Sequence, residues 1–219
     1  MYWRVTVVTL TTITDWPLPA GVRAVYSSRE GGASVGVWQG FNLGDHVGDD
    51  PRAVAANRAQ LLQQLPGASA VQWLQQVHGH DVVDACGGTV RLTADAVMTE
   101  RPGLACAVLT ADCLPVLMAS ADGRQVAAAH AGWRGLASGV LLNTLRRFAD
   151  PTRVSVWIGP AIGPEAFEVG PDVRRAFADA PDAFFAAAHG DRLLADLPGL
   201  ARWQLQQAGV TSVYGADLC

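Results

Sequence analysis

The sequence predicts an α+β fold, with helices packed outside β-sheets in one domain over residues 1–219. Strand-like runs are frequent, helical segments are few, and the two do not alternate as a βαβ nucleotide-binding sheet requires. No internal repeat, low-complexity tract or long Pro/Gly/Ser linker divides the chain.

Arg4–Thr12 and Val22–Ser28 open the chain as strand-like runs rich in Val and Thr. Asp50 followed by Pro51 reads as an N-cap with proline in the first helical position, which predicts a helix to about Leu65. Val71–Val77, Asp95–Thr99, Leu104–Thr110, Val116–Ser120 and Gln125–His130 are strand runs bounded by Gly, Pro or Asp. Several are apolar throughout rather than alternating, so both of their faces should be covered. A second helix is expected from near Leu136, carrying Val140, Leu141, Leu145 and Phe148 on one face. Val154–Gly159 is a further strand, and Pro171 opens a helix through Phe177. The last helix runs from about Leu200 to a stop at Gly209, a suitable C-terminal cap.

Half the residues are hydrophobic and only 16% are charged, the balance of a chain that buries a core rather than a disordered one. A net charge of −4 without a basic cluster argues against nucleic acid or an anionic membrane as the main partner. Cys86, Cys106, Cys113 and Cys219 are too few and too scattered for a disulfide scaffold. The opening MYWRVTVVTLTT has no signal-peptide pattern. The most apolar stretch, Leu104–Ser120, is interrupted by Asp112 and Pro115 and is too short to span a bilayer. A cytoplasmic location is the expectation; no oligomeric state is implied.

Three residues stand at strand ends in distinctive motifs: His78 in QQVHG, Cys113 in LTADCLP and His130 in AAAHAGWRG. Two imidazoles and a thiolate form a set suited to zinc or copper, and three protein ligands leave a coordination position open. The spacings of 35 and 17 residues match no local zinc-finger pattern. Taken singly, each residue reads more often as a hydrogen-bonded histidine or a packed cysteine than as a ligand. The residues alone leave both readings open.

At this point the motifs resemble those of the YfiH-type proteins, also known as the laccase-domain, multicopper polyphenol oxidase or purine nucleoside phosphorylase family. The matching segments are Ser28–Ser34, Phe41–Gly44, His46–Asp50 and Asn57-Arg58, then QQVHG, ADAVMT at 94–99, LTADCLPV at 109–116, AHAGWRG at 129–135 and IGPAIGPEAFEVG at 158–170. The resemblance implies layered mixed sheets flanked by helices, and a metal, generally zinc, held by His78, Cys113 and His130. It departs from the family pattern at Glu165 and Ala166. The pattern also continues past a cysteine like Cys219 into an aromatic, arginine-rich tail, so the domain reads as lacking that tail.

The resemblance implies several activities: phosphorolysis of adenosine, inosine, guanosine or methylthioadenosine, adenosine deamination, copper-dependent phenol oxidation, or editing of peptidoglycan precursors by an amidase. A non-catalytic metal-binding module is the rival. Phosphorolysis makes purine nucleosides and phosphate the expected partners. Arg29, before Gly31-Gly32, is a candidate phosphate contact, because a guanidinium can hold two oxygens. Arg134 is a second candidate, or a partner for a carboxylate. His46 is a candidate proton carrier, beside its reading as a loop histidine. Asp112 could orient a ligand imidazole, and Asp49 and Asp50 read as helix caps. Cys113 and His130 are the expected catalytic pair. Five histidines are too few for a trinuclear copper cluster beside this site.

Overall fold

The computed structural model describes residues 10–87 and 90–216 and bears out the α+β expectation. Strands β1 (Leu10–Thr12) and β2 (Val25–Ser27) pair antiparallel ahead of helix α1 (Pro51–Gln64). The Asp50 carboxylate accepts the Arg52 N–H and proline fills the first turn, which starts the helix there. The short strands β3 (Ala70–Gln72), β4 (Leu74–Gln75), β5 (Val82–Asp84), β6 (Leu92–Thr93), β7 (Ala96–Thr99) and β8 (Leu104–Cys106) follow. Next come β9 (Leu114–Ser120) and β10 (Val126–Ala131), then α2 (Trp133–Ala137), α3 (Val140–Leu145) and β11 (Val154–Ile158). The final part adds β12 (Glu168–Val169), α4 (Pro171–Ala176), β13 (Phe185–Ala187), β14 (Leu193–Ala195), α5 (Leu197–Gln207) and β15 (Ser212–Gly215).

The central sheet has six strands in the order β15-β11-β9-β10-β7-β5. Its outermost pairs, β15 with β11 and β5 with β7, are parallel, and the inner pairs are antiparallel. On one face Leu114, Val116 and Met118 join Ala127, Ala129 and Ala131 under Leu141, Leu145, Leu200 and Leu205 from α3 and α5. On the other face Val97 and Ala128 meet Leu74, Ala85 and Leu104, while Ala119 and Trp157 meet Ile13 and Trp16. Apolar clusters cover both faces of the inner strands, which explains why these read as unbroken apolar runs. Each fully buried leucine contributes about 1.5–3 kcal/mol of transfer free energy.

Several boundaries differ from expectation. Residues 4–9 of the first run lie outside the described residues. The run 71–77 divides because its halves take different partners, β3 pairing with β8 and β4 with β6. The run from Leu104 ends as a strand at Cys106. The helix expected from Leu136 is two helices. It starts earlier, at Trp133, and Gly139 at φ 94° interrupts it in a left-handed conformation that favours glycine. Helix α5 starts at Leu197 because the Asp196 carboxylate accepts the Gly199 N–H, and Gly209 at φ 88° lies just beyond its end.

Candidate functional site

Sheet register builds the site. Because β10 pairs antiparallel with both β7 and β9, its C-terminal end meets the N-terminal ends of its neighbours. Ala129 lies opposite Ala96, and Ala131 opposite Leu114. Asp95, one residue before β7, therefore falls beside His130, whose backbone N–H donates to the Asp95 carbonyl at 2.7 Å. Cys113, one residue before β9, arrives at the same end. Alternation puts Asp95 and His130 on the face that carries Val97 and Ala128.

The third segment is the turn after β4. His78 sits there at φ 58°, a left-handed conformation costing a non-glycine residue roughly 1–2 kcal/mol. The Asp95 carboxylate compensates by accepting three successive backbone N–H groups, from Val77 at 3.1 Å, His78 at 2.9 Å and Gly79 at 2.6 Å. The same carboxylate lies 2.8 Å from His130 Nδ1. Asp95 is fully buried, and burial would raise its pKa. Its bonds to His130 and to the Gly79 and Val77 amides outweigh that and hold it below the usual carboxylate range. Gln76 adds a second fastener: its amide donates to the Leu109 carbonyl and accepts the Leu109 N–H, both at 2.8 Å. That tie joins the His78 segment to the one leading into Cys113.

The result is a cluster in which ligand atoms of His78, Cys113 and His130 lie within 4.8 Å of one another. The two imidazoles cross edge to face, 4.8 Å between centroids. His130 is buried, Cys113 half-buried and His78 exposed, so the cluster opens toward solvent on the His78 side. The donor set fits zinc or copper, and the space is kept by glycine: a Cβ on Gly132 would lie 2.7 Å from Cys113 Sγ. Gly135 permits a second close approach, since a Cβ there would lie 2.8 Å from the Gly79 carbonyl oxygen. Burial alone would lower His130, but hydrogen bonds to Asp95 and Cys113 and their charges carry it up to about 9. Burial, followed by the His130 and Arg134 charges, pulls His78 below its ordinary 6.5.

The other candidates separate clearly. Arg134 belongs to this neighbourhood: its charge acts on His78, and its guanidinium stacks 4.3 Å from the Trp133 ring centroid rather than on a carboxylate. Arg29 bonds within its own loop, to the carbonyls of Gln39 at 3.0 Å and Val37 at 2.9 Å. His46 is exposed, 3.9 Å from Asp45. Asp49 is not a helix cap; it ties the loop together by accepting from Ser34 Oγ and Asn42 Nδ2. Asp112 is exposed, and its backbone carbonyl accepts from Ile162. Asp95, not Asp112, is the carboxylate that meets the His130 imidazole. Sequence reasoning missed it and Gln76, although a carboxylate heading the apolar ADAVMT run was an available signal. A groove of about 510 Å³ between α3, α4 and α5 is lined by none of the three cluster residues.

A mixed-sheet α+β scaffold presenting a His₂Cys cluster with an open side defines a candidate metalloprotein site. A family model described as multi-copper polyphenol oxidoreductase laccase matches residues 23–219, and the chain belongs to this laccase-like YfiH family. A purine nucleoside phosphorylase of Pseudomonas aeruginosa is 50% identical over 210 residues, spanning 94% of this chain and 86% of that protein. The purine nucleoside phosphorylase YfiH of Escherichia coli is 49% identical over 212 residues, with 94% and 87% covered. Among solved structures, a Neisseria meningitidis protein superposes with a TM-score of 0.89 at 44% identity, over 98% of this chain and 88% of its own. YlmD of Geobacillus stearothermophilus gives 0.85 at 30% identity, covering 91% and 82%. Among the described residues, no helix is long and apolar enough to cross a membrane.

Proposed function

We propose that this chain is a metal-dependent purine nucleoside phosphorylase, splitting adenosine, inosine, guanosine or methylthioadenosine with inorganic phosphate. The observation that carries the reading is the convergence of His78, Cys113 and His130 within 4.8 Å. Relatives of about half-identical sequence that are named purine nucleoside phosphorylases support the substrate class. In this reading the three side chains hold zinc. When bound, zinc supplies a fixed positive charge and an open position that acidifies water or takes a phosphate oxygen.

Phosphorolysis joins a phosphate oxygen to the ribose carbon and breaks that carbon's bond to the purine nitrogen, so negative charge departs with the base. Arg134 is the cation assigned to phosphate. Its stacking on Trp133 restrains a planar fork suited to two phosphate oxygens. Asp95 keeps the Nδ1 side of His130 occupied, leaving Nε2 for the cluster. Arg29 keeps the loop-stapling role that its bonds describe, and exposed His46 is left out of the machinery. Metal-free and zinc-loaded protein, each given inosine with and without phosphate, test the proposal. Hypoxanthine release should require both zinc and phosphate. A zinc-loaded chain that turns over none of the four nucleosides would overturn it.

Adenosine deamination is proposed as a second activity, because exposed His78 opens the cluster to bulk water. Ammonia release from adenosine in phosphate-free buffer is its check, and none released removes it. Any phenol oxidation is assigned to copper on the same three ligands. The chain has five histidines, two of them in the cluster, too few for the several coppers that a four-electron reduction of oxygen uses.

A further inference from the structure

We propose, on the metal-centre reading above, that Asp95 is a positioning residue that holds both imidazoles of the cluster in ligating geometry at once. A carboxylate has about four acceptor positions, and Asp95 uses them on four donors: His130 Nδ1 and the N–H groups of Val77, His78 and Gly79. The bond to His130 fixes which ring nitrogen keeps a proton, and so leaves Nε2 as the ligand atom. The three amides form a concave nest around the carboxylate: the His78 N–H shares Oδ1 with His130, and those of Val77 and Gly79 take Oδ2. That nest holds His78 at φ 58° and thereby aims its ring. One buried side chain thus sets two candidate ligands, 17 residues away on one side and 35 on the other. Cys113 is placed separately, by the register of β9 on β10. The proposal therefore concerns the histidines and not the sulfur.

Asp95→Asn keeps the shape but brings an NH₂ group into this ring of donors. Turned one way, that group faces His130 Nδ1 and the His78 N–H together; turned the other, it faces the Val77 and Gly79 N–H groups, so either way the hold on at least one imidazole is lost. Chelator competition should show zinc bound about 10–100-fold more weakly than by the wild type. In zinc-loaded wild-type protein, imidazole nitrogen NMR should place the His130 proton on Nδ1. In metal-free wild type, the amides of His78 and Gly79 should be protected from hydrogen exchange. Asp95→Asn binding zinc as tightly as the wild type would overturn the proposal. Should that variant not fold, the wild-type chain decides: a His130 proton on Nε2, or rapidly exchanging turn amides, would overturn it as well. A wild-type chain that takes up no zinc would count against the metal centre instead, and amide protection would still judge Asp95.

Discussion

A Cβ on Gly132 would stand 2.7 Å from Cys113 Sγ and 3.2 Å from His78 Cδ2, so this glycine keeps open the space in which the two side chains meet. Its backbone, at φ −66° and ψ 163°, suits any residue. Gly132→Ala is therefore opposed by the cluster alone. The variant should retain the fold while zinc affinity falls by about tenfold or more, the equivalent of about 1.4 kcal/mol. Metal content after dialysis, paired with a thermal melt, checks it. An alanine variant that holds zinc normally would mean that these side chains do not share one ion.

Cys113 and His130 should respond differently to truncation, contrary to the uniform behaviour their shared ligand role suggests. Cys113 is half-buried, so Cys113→Ala is expected to abolish turnover with little loss of stability. His130 is buried against the Asp95 carboxylate at 2.8 Å. His130→Ala leaves that charge with one partner fewer and should cost about 3–5 kcal/mol, the usual penalty for breaking a buried pair. Urea denaturation of the two variants compares them. Equal stability would show that the Asp95 contact carries little energy.

The contrast between these two ligands mirrors what was legible in the sequence. Helix α1 was readable because its start is local chemistry, Asp50 accepting from Arg52 with proline beside it. Strands β9 and β10 were readable because two covered faces demand unbroken apolar runs. His78, Cys113 and His130 stood out as rare donor types at strand ends, but those residues alone left the ligand reading open, and the family resemblance carried it. Asp95 was not, since its role depends on the register that places β7 against β10, and adjacency in sequence favoured Asp112 instead. Strands β12 to β15 have two to four residues each, too short to show a period of two. Gly139 gave no local sign that its left-handed turn would cut one helix into two.

Cys106 provides a pH test independent of the cluster. Part of the residue is exposed, but it packs against the group of Leu74, Ala85 and Leu104, and its sulfur lies 3.8 Å from the Val126 carbonyl. Burial pushes this thiol from its ordinary 9.0 up to about 12. Above pH 9 the unfolded chain releases a proton that the folded chain keeps, so this group lowers stability as pH rises from about 9 toward 12 and has no effect at neutral pH. Urea titrations should show a flatter alkaline decline for Cys106→Ala than for the wild type. Matching declines would mean that the thiol ionises normally in the folded protein. The same burial should spare Cys106 from iodoacetamide at about pH 8 while exposed Cys86 is modified.

Arg134 tests the phosphate assignment, because its two plausible roles move different constants. If the guanidinium stacked on Trp133 holds phosphate oxygens, Arg134→Lys keeps the charge but loses the flat fork and its stacking. The KM for phosphate should then rise about tenfold, a loss of roughly 1.4 kcal/mol, while the KM for inosine stays near that of the wild type. Arg134→Ala should raise the phosphate KM further. If Arg134 served only to cover Trp133, both variants would lower stability and leave the phosphate dependence unchanged. Saturation curves for phosphate at fixed inosine, run with thermal melts of the same preparations, separate the two outcomes.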